Sequence, residues 1–505
     1  ASLWAEVKII DGLKFRTQFS GTYDATKHQY FMPATYNRDN YLSAGNSSVN
    51  SATDWVIQNT LTYEKVFADK HSLSLLLGQS AEGYGIYTIN AEATGWQYED
   101  LISLNLASTP TIAKTFNEAY KNASFFGRVA YSYDDKYLFS ASVRRDGSSR
   151  FGANRKWGTF PSVSLGWKIN KEDFLSGASS WLELLKLRVA WGLAGNDNMG
   201  SNYPSVAKLA VDNAVYNGTL VPGMAAGNLS NPDLQWEATR SLNFGIDFSA
   251  FKNRLQLNVD YYINNTDHLL FESPVPYTTG FDKYTTNVGA VRNSGIELDL
   301  TSVNISKPNF SWTSNLNVSH NKNTVTDLGD ANQLPATSWS QQFRTEVGKP
   351  LSQFIAYKTD GLLTKDCFDA TGRAIVPILD GQEEGNPRYV DVNNDGEITT
   401  ADQDIIGSGM AKFQYGLSFR LAYKGFDLNV STYGAAGYKV LDYVDMALRS
   451  SYGVTNKSTD LLNAWTPENT DTDIPAVYYK ANGSVTNDYF SERYLQNGAY
   501  WKIAN

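Results

Sequence analysis

The amino-acid sequence predicts an all-β chain that crosses a membrane as an antiparallel barrel wall of about fifteen strands. Three observations point there. Apolar residues alternate with polar ones along stretches of about 10 to 14 residues, the weak mark of a membrane strand. The connections between these stretches alternate between short and long. The composition, 13% aromatic and only 19% charged with 39 glycines, favours extended structure over helical bundles.

The strands are expected near residues 3 to 10, 13 to 24, 54 to 67, 71 to 82, 122 to 134, 136 to 146, 157 to 169, 184 to 194, 236 to 250, 254 to 267, 289 to 303, 309 to 322, 413 to 424, 426 to 436 and 494 to 505. In one of them Leu255, Leu257, Val259, Tyr261 and Ile263 point one way, and Gln256, Asn258, Asp260 and Tyr262 the other. Leu242, Phe244, Ile246 and Phe248 repeat the pattern, as do Leu185, Leu187, Val189 and Trp191, and again Tyr415, Leu417, Phe419 and Leu421. A soluble sandwich alternates too, so alternation alone does not choose.

Connection length does choose. Every odd-numbered strand is followed by a short step, such as Asp11-Gly12, Asp135, Lys252-Asn253 or Lys424-Gly425. One looser short connection, residues 170 to 183, contains WLELL and is read as a short helical turn. Every even-numbered strand is followed by a longer polar segment, the longest from about residue 323 to 412. Short periplasmic turns with long external loops are the outer-membrane pattern, and a sandwich has no reason to keep that parity. About ten residues at 3.3 Å each, tilted near 45°, also cover the roughly 25 Å apolar band of such a membrane. Tyr131, Tyr133, Tyr137, Phe139, Trp167 and Trp191 lie towards strand ends, where interfacial aromatics sit.

Several function classes are excluded by composition. A net charge of −9 leaves no basic footprint for nucleic acid. Cys367 alone forms no disulfide framework, and four scattered histidines exclude most His-rich sites. No nucleophile motif, paired-His helix or phosphate-cradling turn appears, so no catalytic residue is expected. The absence of an apolar run of 18 residues excludes a transmembrane helix and says nothing about a barrel.

The stretch Ser140 to Ile169, SASVRRDGSSRFGANRKWGTFPSVSLGWKI, resembles the SusC/RagA family of TonB-dependent importers. GLAGNDN (Gly192 to Asn198), NPDLQWE (Asn231 to Glu237), DYYINNTDHLL (Asp260 to Leu270) and NVGAVRNSGIELDL (Asn287 to Leu300) follow in the family's order. The resemblance covers nearly the whole chain. It implies a barrel of about 22 strands with an N-terminal plug, of which residues 1 to 505 would be a partial barrel cut at both ends. The first strand here would be the sixth, and ERYLQNGAYWKIAN (Glu492 to Asn505) the third from the end. It further implies an outer-membrane location in a Gram-negative, Bacteroidetes-like bacterium. The implied partners are TonB, reached through a preceding segment, and a SusD-like lipoprotein lid. The implied substrate is an oligosaccharide first and an oligopeptide second. A surface binding or adhesion barrel without translocation is the alternative, and a secreted soluble β protein a distant third.

Within residues 323 to 412, DVNNDGEITTAD (Asp391 to Asp402) fits a calcium loop. Asp391, Asn393 and Asp395 place short oxygen-bearing side chains on alternate residues, and Gly396 stands where the sharp turn needs it. Glu397 would contribute its carbonyl, and Asp402 replaces the longer bidentate Glu. The other reading is a solvated acidic turn. Calcium here would pin the longest external loop. Arg144, Arg145 and Arg150 are read mainly as partners of neighbouring carboxylates, with an anionic ligand or a lipopolysaccharide phosphate as the alternative. The loop aromatics Tyr36, Tyr84, Trp96, Tyr216 and Trp339 would either stack on a ligand or pack the loops, and no substrate contact is assigned.

Overall fold

A computed structural model describes residues 1–37, 41–329, 333–334, 343–449, 456–477 and 490–504. Fifteen strands form one antiparallel sheet in sequence order. They are β1 (Ser2–Ile10), β2 (Leu13–Met32), β3 (Ala44–Phe67), β4 (His71–Trp96), β5 (Ala107–Tyr133), β6 (Tyr137–Ser148), β7 (Trp157–Lys168), β8 (Leu182–Asn196), β9 (Glu237–Ala250), β10 (Leu255–Asp267), β11 (Ala290–Lys307), β12 (Phe310–Asp327), β13 (Phe413–Tyr423), β14 (Phe426–Ala436) and β15 (Tyr500–Ile503). The chain divides into two compact units. One comprises 1–179, 184–244 and 264–288, and the other 180–183, 245–263 and 289–505.

The expected fifteen strands are present, and the parity of their connections holds except between β7 and β8, whose connection, residues 169–181, is longer than the one from β6 to β7. The short turns carry the backbone that a two-residue hairpin needs, with positive φ at Asp134 and Asp135 (54° and 48°) and at Lys424 and Gly425 (45° and 88°). Two readings need correction. WLELL is not a helical turn: the 3₁₀ turns lie at Ile169–Lys171 and Asp173–Ala178, and Leu182 already begins β8. The last predicted strand is interrupted. Leu495–Asn497 pairs with Lys439–Leu441, and β15 pairs with β14. Gly437, at φ +78°, takes up the irregularity between the two ladders.

The first unit holds β1 to β7. Cross-strand partners place Val7 opposite Phe15, Phe15 opposite Leu61, Leu61 opposite Leu77, and Leu75 opposite Val129. Tyr131 faces Phe139, and Phe139 faces Leu165. All these side chains share one face, on which Leu77 is 63% and Leu165 51% exposed. An apolar face this large in water would aggregate, so its solvent is lipid. Asn59 and Gln79 interrupt it as a pair, with Asn59 donating to Gln79 at 2.9 Å. At the short-turn end, Phe67 stacks on His71 at 5.2 Å and His71 hydrogen-bonds Tyr131 at 2.7 Å. Glu172 there accepts from Tyr137 (2.6 Å), Trp167 (2.9 Å) and Lys136 (3.1 Å). Those bonds hold its carboxyl below the usual range, Tyr137 contributing most. An aromatic belt with polar tips in water is what an interface selects.

Strands β2 to β5 run to 20, 24, 26 and 27 residues, far more than the band requires. Their outer halves carry few large apolar side chains and are tied together by amide and carboxylate bonds. Asn46, for example, donates to Asn90 at 2.7 Å, and Asn90 to Glu92 at 2.9 Å.

In the second unit the same alternation continues, with Leu300 opposite Leu316, Leu316 opposite Leu417, and Leu421 opposite Leu428. The long connection from β12 to β13 has a sheet and a small core of its own. Gln353–Tyr357 pairs with Gln403–Ser408, and Tyr357, Tyr389 and Ile398 form a small core beneath Leu379. The β14–β15 connection joins this module. Thr359 donates its N–H to Glu492 at 3.0 Å, and Ala476 donates to the Gly385 carbonyl at 2.9 Å.

Candidate functional site

Residues of the polar sheet face and of the external loops carry the candidate sites, and each unit contributes its own. In the first unit the RRDGSSRFG segment is a junction. Arg144 reaches Asp146 at 2.7 Å and Ser124 at 2.8 Å. Arg150 pairs with Asp197 at 3.3 Å and donates to Asn202 at 2.9 Å, while its guanidinium lies 3.8 Å from the Tyr120 ring centroid. Asp197 also accepts from Ser148 (3.0 Å) and Asn122 (3.2 Å). Phe151, 1% exposed, packs on Trp236 at 4.8 Å. Gly152 donates to the Leu234 carbonyl at 3.0 Å, and a Cβ there would stand 2.0 Å from the Pro232 oxygen. Two of the three predicted arginines are thus paired to carboxylates, and RRDGSSRFG is locked to NPDLQWE. Arg145 is different. It lies on the apolar face, opposite Phe125, over the Trp157 ring at 5.6 Å.

In the second unit the polar face of β10 to β14 bounds a cavity of about 660 Å³, lined among others by Asp260, Glu297, Asp299, Asn317, Gln414 and Tyr433. Asp299 accepts from Asn315 at 3.3 Å. The lining is a mixture of carboxylates, amides and tyrosines, suited to a ligand rich in hydroxyl or amide groups. The sequence assigned no substrate contacts, yet Asn258 and Asp260 are polar members of the predicted alternation. Only the register showed that they converge.

The acidic loop folds on its own backbone. Asp391 accepts from the Gly396 N–H at 2.8 Å, Asn393 from Asp395 N–H at 2.9 Å, and Asp395 from Glu397 N–H at 2.9 Å. Asn393 also donates its amide to Asp395 at 2.7 Å. The second oxygen of Asp391 is buried without a hydrogen-bond partner, as an oxygen reserved for a cation would be. Asp402 is fully buried and takes N–H bonds from Thr399 (2.8 Å), Val392 (2.9 Å) and Asn393 (3.4 Å). Burial opposes its ionisation, but the N–H bonds from Thr399, Asn393 and Val392 prevail and hold its carboxyl below the usual range. Among the described residues no three His, Cys, Asp or Glu side chains converge as a metal site. A hard ion here would therefore draw on Asp391, the Asn393 amide oxygen, Asp395 and the Glu397 carbonyl, with Asp402 engaged by the backbone.

The expected loop aromatics divide. Tyr36 and Tyr216 are 77% and 73% exposed. Tyr84 and Trp96 are not in a loop, because β4 continues to Trp96. Tyr84 stacks on Tyr120 at 5.5 Å, and the buried Trp96 meets Phe31 at 5.2 Å and donates its indole N–H to the Ser103 carbonyl. Trp339 lies outside the described residues.

Residues 5–353 match the family model described as TonB dependent receptor-like, beta-barrel. TonB-dependent receptor P3 of Formosa agariphila is 32% identical over 519 residues, an alignment covering 100% of this chain and 50% of that protein. TonB-dependent receptor SusC of Bacteroides thetaiotaomicron is 30% identical over 389 residues, covering 76% of this chain and 37% of that protein. Among solved structures, the RagAB peptide transporter superposes with a TM-score of 0.83 at 25% identity, covering 99% of this chain and 53% of that one. The chain spans about half the length of the curated relatives that it matches over its full length. A lipid-facing apolar face, hairpins of alternating length and these matches converge: the chain belongs to the TonB-dependent receptor β-barrel family, is SusC/RagA-like, lies in the outer membrane, and comes from a family of transporters rather than enzymes.

Proposed function

We propose that the protein imports a nutrient across the outer membrane by TonB-driven transport, together with a SusD-like surface lipoprotein. The observation that carries this reading is the two-faced sheet of a receptor family, with lipid-facing apolar side chains on one side and a polar, cavity-bearing face on the other. An oligosaccharide is the first substrate reading, because the cavity lining offers carboxylate and amide groups to hydroxyls and tyrosine rings to sugar faces. An oligopeptide is the second, supported by the similarity to a transporter described as carrying peptides. The test is uptake of labelled oligosaccharides and oligopeptides by cells with and without this gene, and with and without the lipoprotein's gene. Equal uptake of both substrate classes after loss of the transporter would sink the import reading. Binding of a ligand at the cell surface with no accumulation would favour an adhesion barrel instead.

The loop Asp391 to Asp402 is proposed to hold calcium in a structural role, through Asp391, Asn393, Asp395 and the Glu397 carbonyl, with buried Asp402 shaping the turn from within. The partnerless oxygen of Asp391 supports this reading. A chelator should open the loop to protease in the full-length protein. Identical cleavage patterns with and without chelator would count against the ion.

A further inference from the structure

Arg145 has no use in the junction that occupies Arg144 and Arg150. Alternation along β6 turns it to the face shared by Tyr137, Phe139 and Val143, which faces lipid. It lies eight residues from Tyr137 and the short-turn belt. At 3.3 Å per residue and a tilt near 45°, that is about 20 Å across the membrane, which places Arg145 near the far edge of the apolar band. An arginine on a lipid-facing barrel surface is costly at the midplane and cheap at the interface, where its stem snorkels. Trp157 and Phe125, 6.3 Å apart and stacked, supply the aromatic floor of that interface.

The charge around Arg145 is one-sided. Lys121 occupies the same face of β5, four residues beyond Phe125, and the exposed Arg155 and Lys156 immediately precede Trp157. Among the described residues none of the four cations forms an ion pair with a carboxylate, whereas Arg144 and Arg150 do. Acidic groups of the surrounding strands and loops are engaged elsewhere: Asp146 by Arg144, Asp197 by Arg150, Asp233 by the Asn154 amide, Glu82 by Asn122 and Glu118 by Asn202. Unpaired guanidinium and ammonium groups at the external rim of an apolar face match a headgroup that brings phosphate oxygens to the level of its own acyl chains.

We propose that the external rim of β5 to β7 is a binding site for the phosphate of an outer-leaflet glycolipid, with Arg145 and Lys121 as principal contacts, Arg155 and Lys156 as flanking charges, and Trp157 and Phe125 under the sugar–acyl boundary. The site fixes the depth of the wall at the strands whose loop carries the Arg150 junction.

The experiment uses the full-length transporter in detergent and native mass spectrometry, with three probes: diphosphorylated lipid A, the same lipid dephosphorylated, and inorganic phosphate. The wild type should bind the phosphorylated lipid preferentially, with affinity falling as salt rises. Lys121→Gln and Arg145→Gln should each weaken binding about fivefold, as expected for one charge near a membrane surface, and Arg145→Lys should retain most of it. Equal binding of phosphorylated and dephosphorylated lipid overturns the proposal. Saturation by inorganic phosphate with no preference for the lipid overturns the lipid assignment. Heat-modifiable migration checks that each variant is folded. Should a variant fail to fold, the salt titration of the wild type decides, and a flat response refutes the phosphate contact.

Discussion

Asp402 is the residue on which the acidic loop turns, and its removal has a calculable cost. It is fully buried, and three backbone N–H groups, of Val392, Asn393 and Thr399, end on its carboxylate. In Asp402→Ala these donors lose a charged acceptor, and the two short bonds at 2.8 and 2.9 Å carry most of the loss. With charged-acceptor bonds worth about 1.5–3 kcal/mol each, local destabilisation of about 4 kcal/mol follows. Asp402→Asn keeps one carbonyl oxygen and should lose about half of that. Hydrogen–deuterium exchange on the full-length protein is the assay, read at the amides of residues 392, 393 and 399. In Asp402→Ala their protection should fall by about three orders of magnitude, with the sheet strands unchanged. The pH dependence has a definite sign. The folded-state carboxyl titrates below its unfolded value of 3.8, so its contribution is complete above that value and disappears as pH falls through the depressed one. Unchanged amide protection in Asp402→Ala, or greater protection at acid than at neutral pH, would refute the reasoning.

Three other outcomes are expected. Asn59 and Gln79 satisfy each other on the lipid-facing surface, so Asn59→Leu alone should cost about 1–3 kcal/mol by orphaning Gln79, while the double change to leucine should recover most of it. Urea unfolding in liposomes measures this, and additive losses would contradict it. Gly152→Ala forces a Cβ onto the Pro232 carbonyl and should cost about 1–3 kcal/mol as overpacking, read as faster proteolysis at residues 231 to 237. Phe151→Ala empties a fully buried site beside Trp236 and should cost about 3–5 kcal/mol, lowering the midpoint of heat-modifiable migration without altering the strand content seen by circular dichroism.

The junction and the rim site explain why one short segment, RRDGSSRFG, carries arginines with opposite fates. Alternation sends Arg144 to the polar face and its neighbour Arg145 to the apolar one. Arg150 lies beyond the end of β6, where the chain has left the ladder and can turn towards Asp197. Three residues of the same type therefore meet a carboxylate, a lipid interface and a loop core.

Strand number, the parity of turns and loops, and the identity of the oily face were legible from residues alone. Each depends on local chemistry: period-two alternation across a fixed membrane thickness, and turn residues such as Asp11-Gly12 and Lys424-Gly425 that tolerate positive φ. The outer halves of β2 to β5 were not legible, because stretches such as residues 44 to 53 have no apolar face and owe their extension to partners across the ladder. WLELL misled for a related reason, since its apolar run suits a helix and a strand equally until the end of β9 meets it, where Phe251 donates its N–H to the Trp181 carbonyl. The calcium-like motif was visible as spacing, whereas the burial of Asp402 against three N–H groups depends on how the loop closes. The pairing of Arg150 with Asp197 joins residues 47 apart in sequence, and the polar cavity gathers side chains from Asn258 to Tyr500. The sequence by itself determined which residues face lipid, because the membrane imposes one rule on every strand. Which polar residues meet was decided by register and loop packing, whose energies come from contacts between segments that no local pattern encodes.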